Sequence, residues 1–278
     1  DSLWYGKNLY ELYQEAYTPW EWHKEIFDYA NSLGMVAFSS PFDETAVDFL
    51  EKLNVPAYKI ASFEIQDIPL IKYAASQGKP IIISTGIASL EDIELAVTTC
   101  HEAGNKDVAL LKCTSAYPAP LELANLNTIP DLVKRFDVTS GLSDHTKGIV
   151  APSIAVALGG KIIEKHFILD KSVGGPDVEF SLDPSEFADM VKAVRDTEKA
   201  MGIATYELDE KVAKNRTFGR SLFVMKDIKK GEKFTAENIR SIRPGYGMHP
   251  KHYEMVLSKS ASKDLERGKP LLDSDLIS

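Results

Sequence analysis

Cysteine is nearly missing from the sequence: 278 residues contain two, Cys100 and Cys113. One falls within a helical pattern and the other at the end of an apolar run. We read them as free thiols of a reducing, cytoplasmic compartment, with no disulfide framework. There is no run of 18 apolar residues, which excludes a transmembrane helix of the usual kind, and residues 1–8 have no signal-peptide pattern. Positive charge is in deficit: 32 Lys and Arg stand against 41 Asp and Glu, a net charge of −9. That balance argues against nucleic acid or a membrane surface as a partner, though it permits a local basic pocket. No Gly-x-Gly-x-x-Gly follows any apolar run, which counts against a dinucleotide fold. An initiator Met is absent too. The opening Asp1-Ser2-Leu3-Trp4-Tyr5-Gly6 is loop-like, and we expect further sequence ahead of it.

What is present is an alternation. Apolar runs rich in β-branched residues occupy 35–40, 57–61, 80–85, 108–114, 138–142 and 161–166. They are apolar throughout, as expected of parallel strands covered on both faces. Amphipathic stretches at 20–33, 45–53, 68–77, 90–103, 129–136, 149–158 and 184–201 separate or follow them. Gly34, Gly78, Gly104 and Gly159 stand where helix C-terminal glycines belong, and Ser89 ahead of Leu90-Glu91-Asp92 reads as an N-cap. Repeated βα units leave two architectures, an open doubly wound sheet or a closed barrel. The strand ends favour the barrel, because six of them finish in polar or ionisable residues and a barrel gathers such ends at one mouth. The fold expected is therefore α/β, a TIM-type (β/α)8 barrel. Six strands are countable where eight are needed, so two are expected ahead of Asp1, and a chain beginning there is expected to have an open barrel and little or no activity. After Met201 the texture changes. We expect a barrel domain over 1–203, a polar linker over 204–219 and a small module over 220–278.

His145 and His166 end consecutive strands, within Ser143-Asp144-His145-Thr146 and Glu164-Lys165-His166-Phe167. They would either share a divalent cation as a Lewis acid or form a hydrogen-bonded pair. Lys59, Ser40, Ser62 and Ser84 end or follow three neighbouring strands, and one ammonium with several hydroxyls suits a phosphoryl dianion. Ser115, Tyr117 and Ser143 are candidates for a second anionic group such as a carboxylate. Glu64 follows the Lys59 strand and is either an acid–base residue or a surface ion-pair partner. Asp177 lies in the glycine-rich segment Gly174-Gly175-Pro176-Asp177, which could approach a substrate. Arg243, stiffened by Pro244-Gly245, is either a substrate-binding guanidinium or an ordinary surface arginine.

Six stretches carry a resemblance: Phe38-Ser39-Ser40-Pro41-Phe42-Asp43, Tyr58-Lys59-Ile60-Ala61-Ser62, Ile83-Ser84-Thr85-Gly86, Cys113-Thr114-Ser115-Ala116-Tyr117-Pro118, Ser143-Asp144-His145-Thr146 and Glu164-Lys165-His166-Phe167. In order and spacing they resemble the sialic acid synthase family. Arg243-Pro244-Gly245 and its surroundings are similar to that family's C-terminal antifreeze-like (SAF) domain. Residues 17–23, Leu111-Lys112-Cys113-Thr114, and the segment from Gly174 to Leu182 are most similar to the family's pseudaminic acid branch. Its N-acetylneuraminate members usually carry His where Lys112 stands. The resemblance implies a transferase that condenses phosphoenolpyruvate with an open-chain amino sugar, using Mn, Mg or Co. It implies catalytic roles for Lys59, Glu64 and Glu164, and a metal on His145 and His166. Phosphoenolpyruvate would contact Ser40, Lys59, Ser62, Ser84, Ser115, Tyr117 and Ser143. The sugar would meet Asp177 and Arg243, the latter from the partner in a domain-swapped homodimer. Rival expectations are an N-acetylneuraminate or legionaminic acid synthase, an aldolase-like barrel without such a tail, and a non-catalytic carbohydrate-binding protein.

Overall fold

The computed structural model describes residues 8–175 and 177–277, so the loop reading of the first six residues and the position of Pro176 lie outside the described residues. The chain divides into two compact units, Asp1–Gly202 and Ile203–Ser278. In the first, α1 (Leu9–Ala16), α2 (Trp20–Ser32) and α3 (Glu44–Lys52) precede β1 (Tyr58–Ile60). Then α4 (Ile68–Ser76), β2 (Ile81–Ser84), α5 (Leu90–Glu102), β3 (Val108–Cys113), α6 (Thr128–Phe136), β4 (Thr139–Asp144), α7 (Val150–Ala157), β5 (Ile162–Lys165) and α8 (Pro184–Met201) follow in strict alternation. Capping residues account for several starts. Asn8, Ser89 and Asp183 each close a capping box with an acidic residue three positions on, so orphan N–H groups are satisfied on both sides.

The five strands form one parallel sheet in sequential order. Register divides its residues cleanly. Tyr58, Ile81, Val108, then Ile60, Ile83, Leu110 form rows on one side. These rows pack with Val47, Leu50, Leu70, Ile71, Ala74, Ile93, Ala96 and Val97 of the helices in the main core. The other side carries Ile82, Ala109 and Leu111 low down and Ser84, Cys113, Ser143 and Glu164 at the strands' C-terminal ends. Long-range geometry shows that the sheet is curled. Lys59 Nζ on β1 lies 3.7 Å from Glu164 Oε2 on β5, the opposite edge. In a flat sheet those strands would stand about 19 Å apart, four spacings of ~4.8 Å. Gly141 permits the closest part of this curl, since a Cβ there would meet the Ile162 carbonyl oxygen at 2.1 Å.

Two expectations need correction. Residues 35–40 are not a strand: Ser39 makes one isolated bridge to Tyr58. Met35 and Val36 are exposed, and without a second neighbour or a covering layer among the described residues the run gains no ladder. The apolar side expected for 20–33 is likewise uncovered, with no buried residue in α2. Trp20 stacks on Phe49 at 4.6 Å and Phe27 touches the core edge, while Trp22 and Ile26 face solvent. No helix among the described residues is long and apolar enough to cross a membrane.

The second unit includes the stretch expected to be a linker, which contains α9 (Glu210–Lys214) and a 3-10 turn, Asn215–Phe218. It continues with β6 (Ser221–Val224) antiparallel to β7 (Ile239–Ile242), then α10 (Tyr253–Leu257) and the short pair β8 (Ser260–Ala261) and β9 (Leu276–Ile277). Leu222, Val224, Ile228, Phe234, Ile239, Val256, Leu265 and Leu271 make its separate core.

Candidate active site

The C-terminal ends of all five strands meet at one cavity of about 210 Å³. Its wall includes Ser40, Lys59, Ser62, Ser84, Tyr117, Ser143, His145, Glu164 and His166, together with Ala61, Phe63 and Cys113. Nine residues singled out in the sequence thus converge. Alternation explains the selection: Ser143 and His145, and Glu164 and His166, are two apart and share a face.

Lys59 rises from the apolar floor, and its side chain is only 8% exposed. Its ammonium donates to the Ile60 carbonyl at 3.0 Å. Burial pushes its pKa below the ordinary value, against the opposing pull of Glu164. Glu164 is held in turn by Ser143, whose Oγ donates to Oε1 at 2.6 Å. Ser84 Oγ is buried with no hydrogen-bond partner, an unmet polar group that a ligand atom in the cavity would satisfy. Ser62 is fixed by Ser115 at Oγ–Oγ 2.8 Å. Gly86 closes this corner: a Cβ there would stand 2.0 Å from Ser115 Oγ and 2.9 Å from Cys113 Sγ. Burial raises the pKa of both the Cys113 thiol and the Tyr117 phenol.

The imidazoles stand together with centroids 5.2 Å apart, and Phe180 packs edge-on against both. His145 Nδ1 lies 3.1 Å from the Thr114 carbonyl oxygen. A carbonyl only accepts, so Nδ1 carries the proton and Nε2 keeps its lone pair. His166 Nδ1 lies 3.4 Å from Asp177 Oδ2. A ring nitrogen committed to a carbonyl or carboxylate is the usual support of a metal-binding histidine, so this pair fits a divalent cation. Among the described residues no group of three or more His, Cys, Asp or Glu side chains is disposed to hold one. The two rings would therefore leave the remaining positions to solvent or substrate. Burial lowers the pKa of His145, which favours the neutral, ligating form.

Four expected residues do not line the wall: Ser115, which bonds Ser62, and Glu64, Asp177 and Arg243. Glu64 lies in the turn after β1, where its N–H donates to Ala61 O at 3.1 Å. Its carboxyl has one buried, unpartnered oxygen, and burial raises its pKa. Asp177 reaches the site through His166. Arg243 belongs to the second unit, exposed at a turn whose neighbours are pinned by Ser221 Oγ donating to Pro244 O at 2.7 Å and Gly245 N–H donating to Thr217 O at 2.9 Å. Sequence reasoning missed Phe63 and Cys113 on the wall, Phe180 behind the rings, and the ion pair of Asp144 with Lys165. Strand alternation carried a signal for Cys113, two positions past Leu111 on the inner face. Lys112, by the same alternation, faces outward: its ammonium donates to Cys113 O at 2.7 Å, and it lines a separate cleft with Asn125, Asn127, Thr128 and Asp131.

Relatives of known description fit this site. The NeuB family profile matches residues 1–206 and a SAF domain profile matches 219–277. The pseudaminic acid synthase of Campylobacter jejuni (strain 81-176) is 50% identical over 274 residues, 99% of this chain and 80% of that protein. The pseudaminic acid synthase of Helicobacter pylori is 49% identical, covering 99% of this chain and 81% of its own length. Among solved structures, the spore coat polysaccharide biosynthesis protein SpsE of Bacillus subtilis superposes with a TM-score of 0.65 at 34% identity, over 98% of this chain and 82% of that one. The chain therefore belongs to the NeuB family and carries a SAF domain over residues 219–277.

Proposed function

We propose that the protein is a transferase that condenses phosphoenolpyruvate with 2,4-diacetamido-2,4,6-trideoxy-L-altrose, releasing phosphate and a nine-carbon 2-keto-3-deoxy acid, pseudaminic acid. The observation that carries this reading is the convergence of a buried ammonium, an unsatisfied serine hydroxyl and two oriented imidazoles on one small cavity. The two synthases reported above, each about half identical over nearly the full chain, support the choice of acceptor.

In this reading Lys59, Ser40, Ser62 and Ser84 bind the phosphate, and Ser115, Tyr117 and Ser143 fix the carboxylate. Carbon 3 of phosphoenolpyruvate attacks the aldehyde carbon of the open-chain sugar, and the aldehyde oxygen takes up a proton and becomes a hydroxyl. Positive charge develops at carbon 2, where Glu164 is the nearest carboxylate to the Lys59 ammonium and offers electrostatic stabilisation. Water adds to carbon 2 and gives up a proton. Glu64, whose carboxylate is made more basic by burial, is the candidate to take up that proton through solvent. The adduct then collapses by C–O cleavage to the ketone and inorganic phosphate. A divalent cation on His145 and His166 would supply polarisation of the aldehyde when bound. Asp177 and Arg243 would contact the sugar, and a homodimer would let Arg243 reach a partner's cavity.

The test is phosphate release from phosphoenolpyruvate by the purified chain, and by a version extended at its N-terminus. Each is offered this acceptor, N-acetylmannosamine, or the diacetamido acceptor of legionaminic acid, with and without a chelator. Release with the altrose sugar in at least ~10-fold preference supports the proposal. Preference for either other sugar refutes the acceptor, and release unaffected by chelation refutes the metal.

A further inference from the structure

The geometry points to Asp144 and Lys165 as a positioning pair that locks the His145 ring in the orientation the cavity uses. This rests on the reading that His145 works in that cavity. The two residues are register partners on β4 and β5, one step before the two histidines and therefore on the outer face. The Lys165 side chain is 0% and the Asp144 side chain 1% exposed, with Lys165 Nζ 2.8 Å from Asp144 Oδ2. Both ions grip the same short segment. Asp144 Oδ1 accepts from the Thr146 N–H at 2.9 Å, and the Lys165 ammonium also donates to the Thr146 carbonyl oxygen. The residue they bracket is His145. Its own carbonyl accepts from Ala119 N–H at 2.9 Å, and its Nδ1–H reaches Thr114 O at 3.1 Å.

Burying two charges costs desolvation, and replacement of such a pair by apolar residues of like volume is often neutral or stabilising. Stability is therefore a weak reason for the pair. Position is a better one. A strand end that leaves the ladder at Asp144 has no further sheet partner to orient residue 145, and the crossed bonds to Thr146 replace the ladder at that point. The His145 peptide is then clamped on its outer side while its ring faces inward. Supports one step behind a ligating or catalytic ring commonly change activity by ~10–100-fold when removed.

The experiment uses the full chain with selectively ¹⁵N-labelled histidine, without metal or substrate, the His145 signals being assigned by their loss in His145→Ala. The wild type is expected to show His145 as a single Nδ1–H tautomer. The charge-free double variant D144L/K165M is expected to keep its melting temperature within a few degrees and to show averaged tautomers. Its kcat is expected to fall ~10–100-fold while the KM for phosphoenolpyruvate stays within about threefold. A folded double variant with an unchanged ring signal and a kcat within twofold of wild type overturns the proposal. Should the double variant not fold, Asp144→Asn serves: a partial tautomer shift supports the proposal and an unchanged ring overturns it. Because the ring signal needs neither metal nor sugar, an inactive wild type would sink the proposed reaction and leave this result standing.

Discussion

Replacing Lys59 by Met should make the protein more stable and markedly less active. The ammonium is buried, makes one hydrogen bond, to Ile60 O, and has its nearest carboxylate at 3.7 Å, outside hydrogen-bond range. Burial lowers its pKa from the ordinary 10.5, and Glu164 only partly offsets this. Between the lowered value and 10.5 the unfolded chain therefore binds more protons than the folded one. Stability accordingly rises with pH across that window, and the charged lysine costs stability below it. Met fills much the same volume without charge, and Glu164, itself 41% exposed, remains solvated when its partner goes. Removing buried ion pairs in favour of apolar residues gains about 1–4 kcal/mol. With one of the two ions truly buried here, about 1–2 kcal/mol is reasonable. At ~2–4 °C per kcal/mol for a unit of this size, the melting temperature should rise by ~2–8 °C at pH 7. The gain should shrink as the pH approaches 10.5. Loss of charge-assisted bonds to phosphate, about 1.5–3 kcal/mol, should lower kcat/KM by ~10–200-fold. Thermal melts at pH 7 and pH 10 with phosphate-release kinetics measure both effects. A melting temperature that falls, or kcat/KM within threefold of wild type, would refute the reasoning.

Gly86→Ala should cost about 1–3 kcal/mol by overpacking, because its Cβ would stand 2.0 Å from Ser115 Oγ. Combining it with Ser115→Ala should recover part of the loss in a denaturation cycle, and strict additivity would argue against the collision. Tyr58→Phe removes a buried hydroxyl that donates to Glu51 and should cost about 1.5–3 kcal/mol. Since Tyr58 faces the helices, kcat and KM should hold within twofold, and a larger change would contradict the division of the sheet into two faces. Glu164→Gln keeps an acceptor for Ser143 but removes the carboxylate beside Lys59. It should lower kcat by ~10-fold or more with the melting temperature held within ~3 °C, as circular dichroism and steady-state kinetics would show.

The alternation of apolar runs and amphipathic stretches was sufficient to read five strands and α2 to α8, because each parallel strand needs a helix to carry the chain back and both leave a strong period. Residues 35–40 misled because β-branched and aromatic content reports what a covered strand would use, while pairing depends on neighbours that periodicity does not supply. The site was legible through its inward positions. A lysine, serines, a glutamate and two histidines at strand ends are unusual where apolar residues would serve packing better. Asp144 and Lys165 were not legible as a pair, since their meaning depends on register between positions 21 residues apart. Glu64 illustrates the opposite limit: its sequence position after β1 marked it, but the turn it lies in takes it off the cavity wall.

The two faces of the sheet are governed by different energetics, and the border between them runs along single residues. On the outer face, Ile60, Ile83 and Leu110 are fully buried against helices, each contributing the ~1.5–3 kcal/mol of a covered aliphatic side chain. One step along the same strands, Lys59 and Ser84 are buried with their bonding incomplete, which costs free energy in the empty cavity and is recovered when an anion completes it. A cavity filled by apolar residues would make a firmer sheet and no binding site. Asp144 and Lys165 mark where this division is relaxed: a buried ion pair stands on the outer face at the strand ends beside the histidines. There the sheet has run out of ladder bonds, and side chains have to orient the rings that the cavity needs.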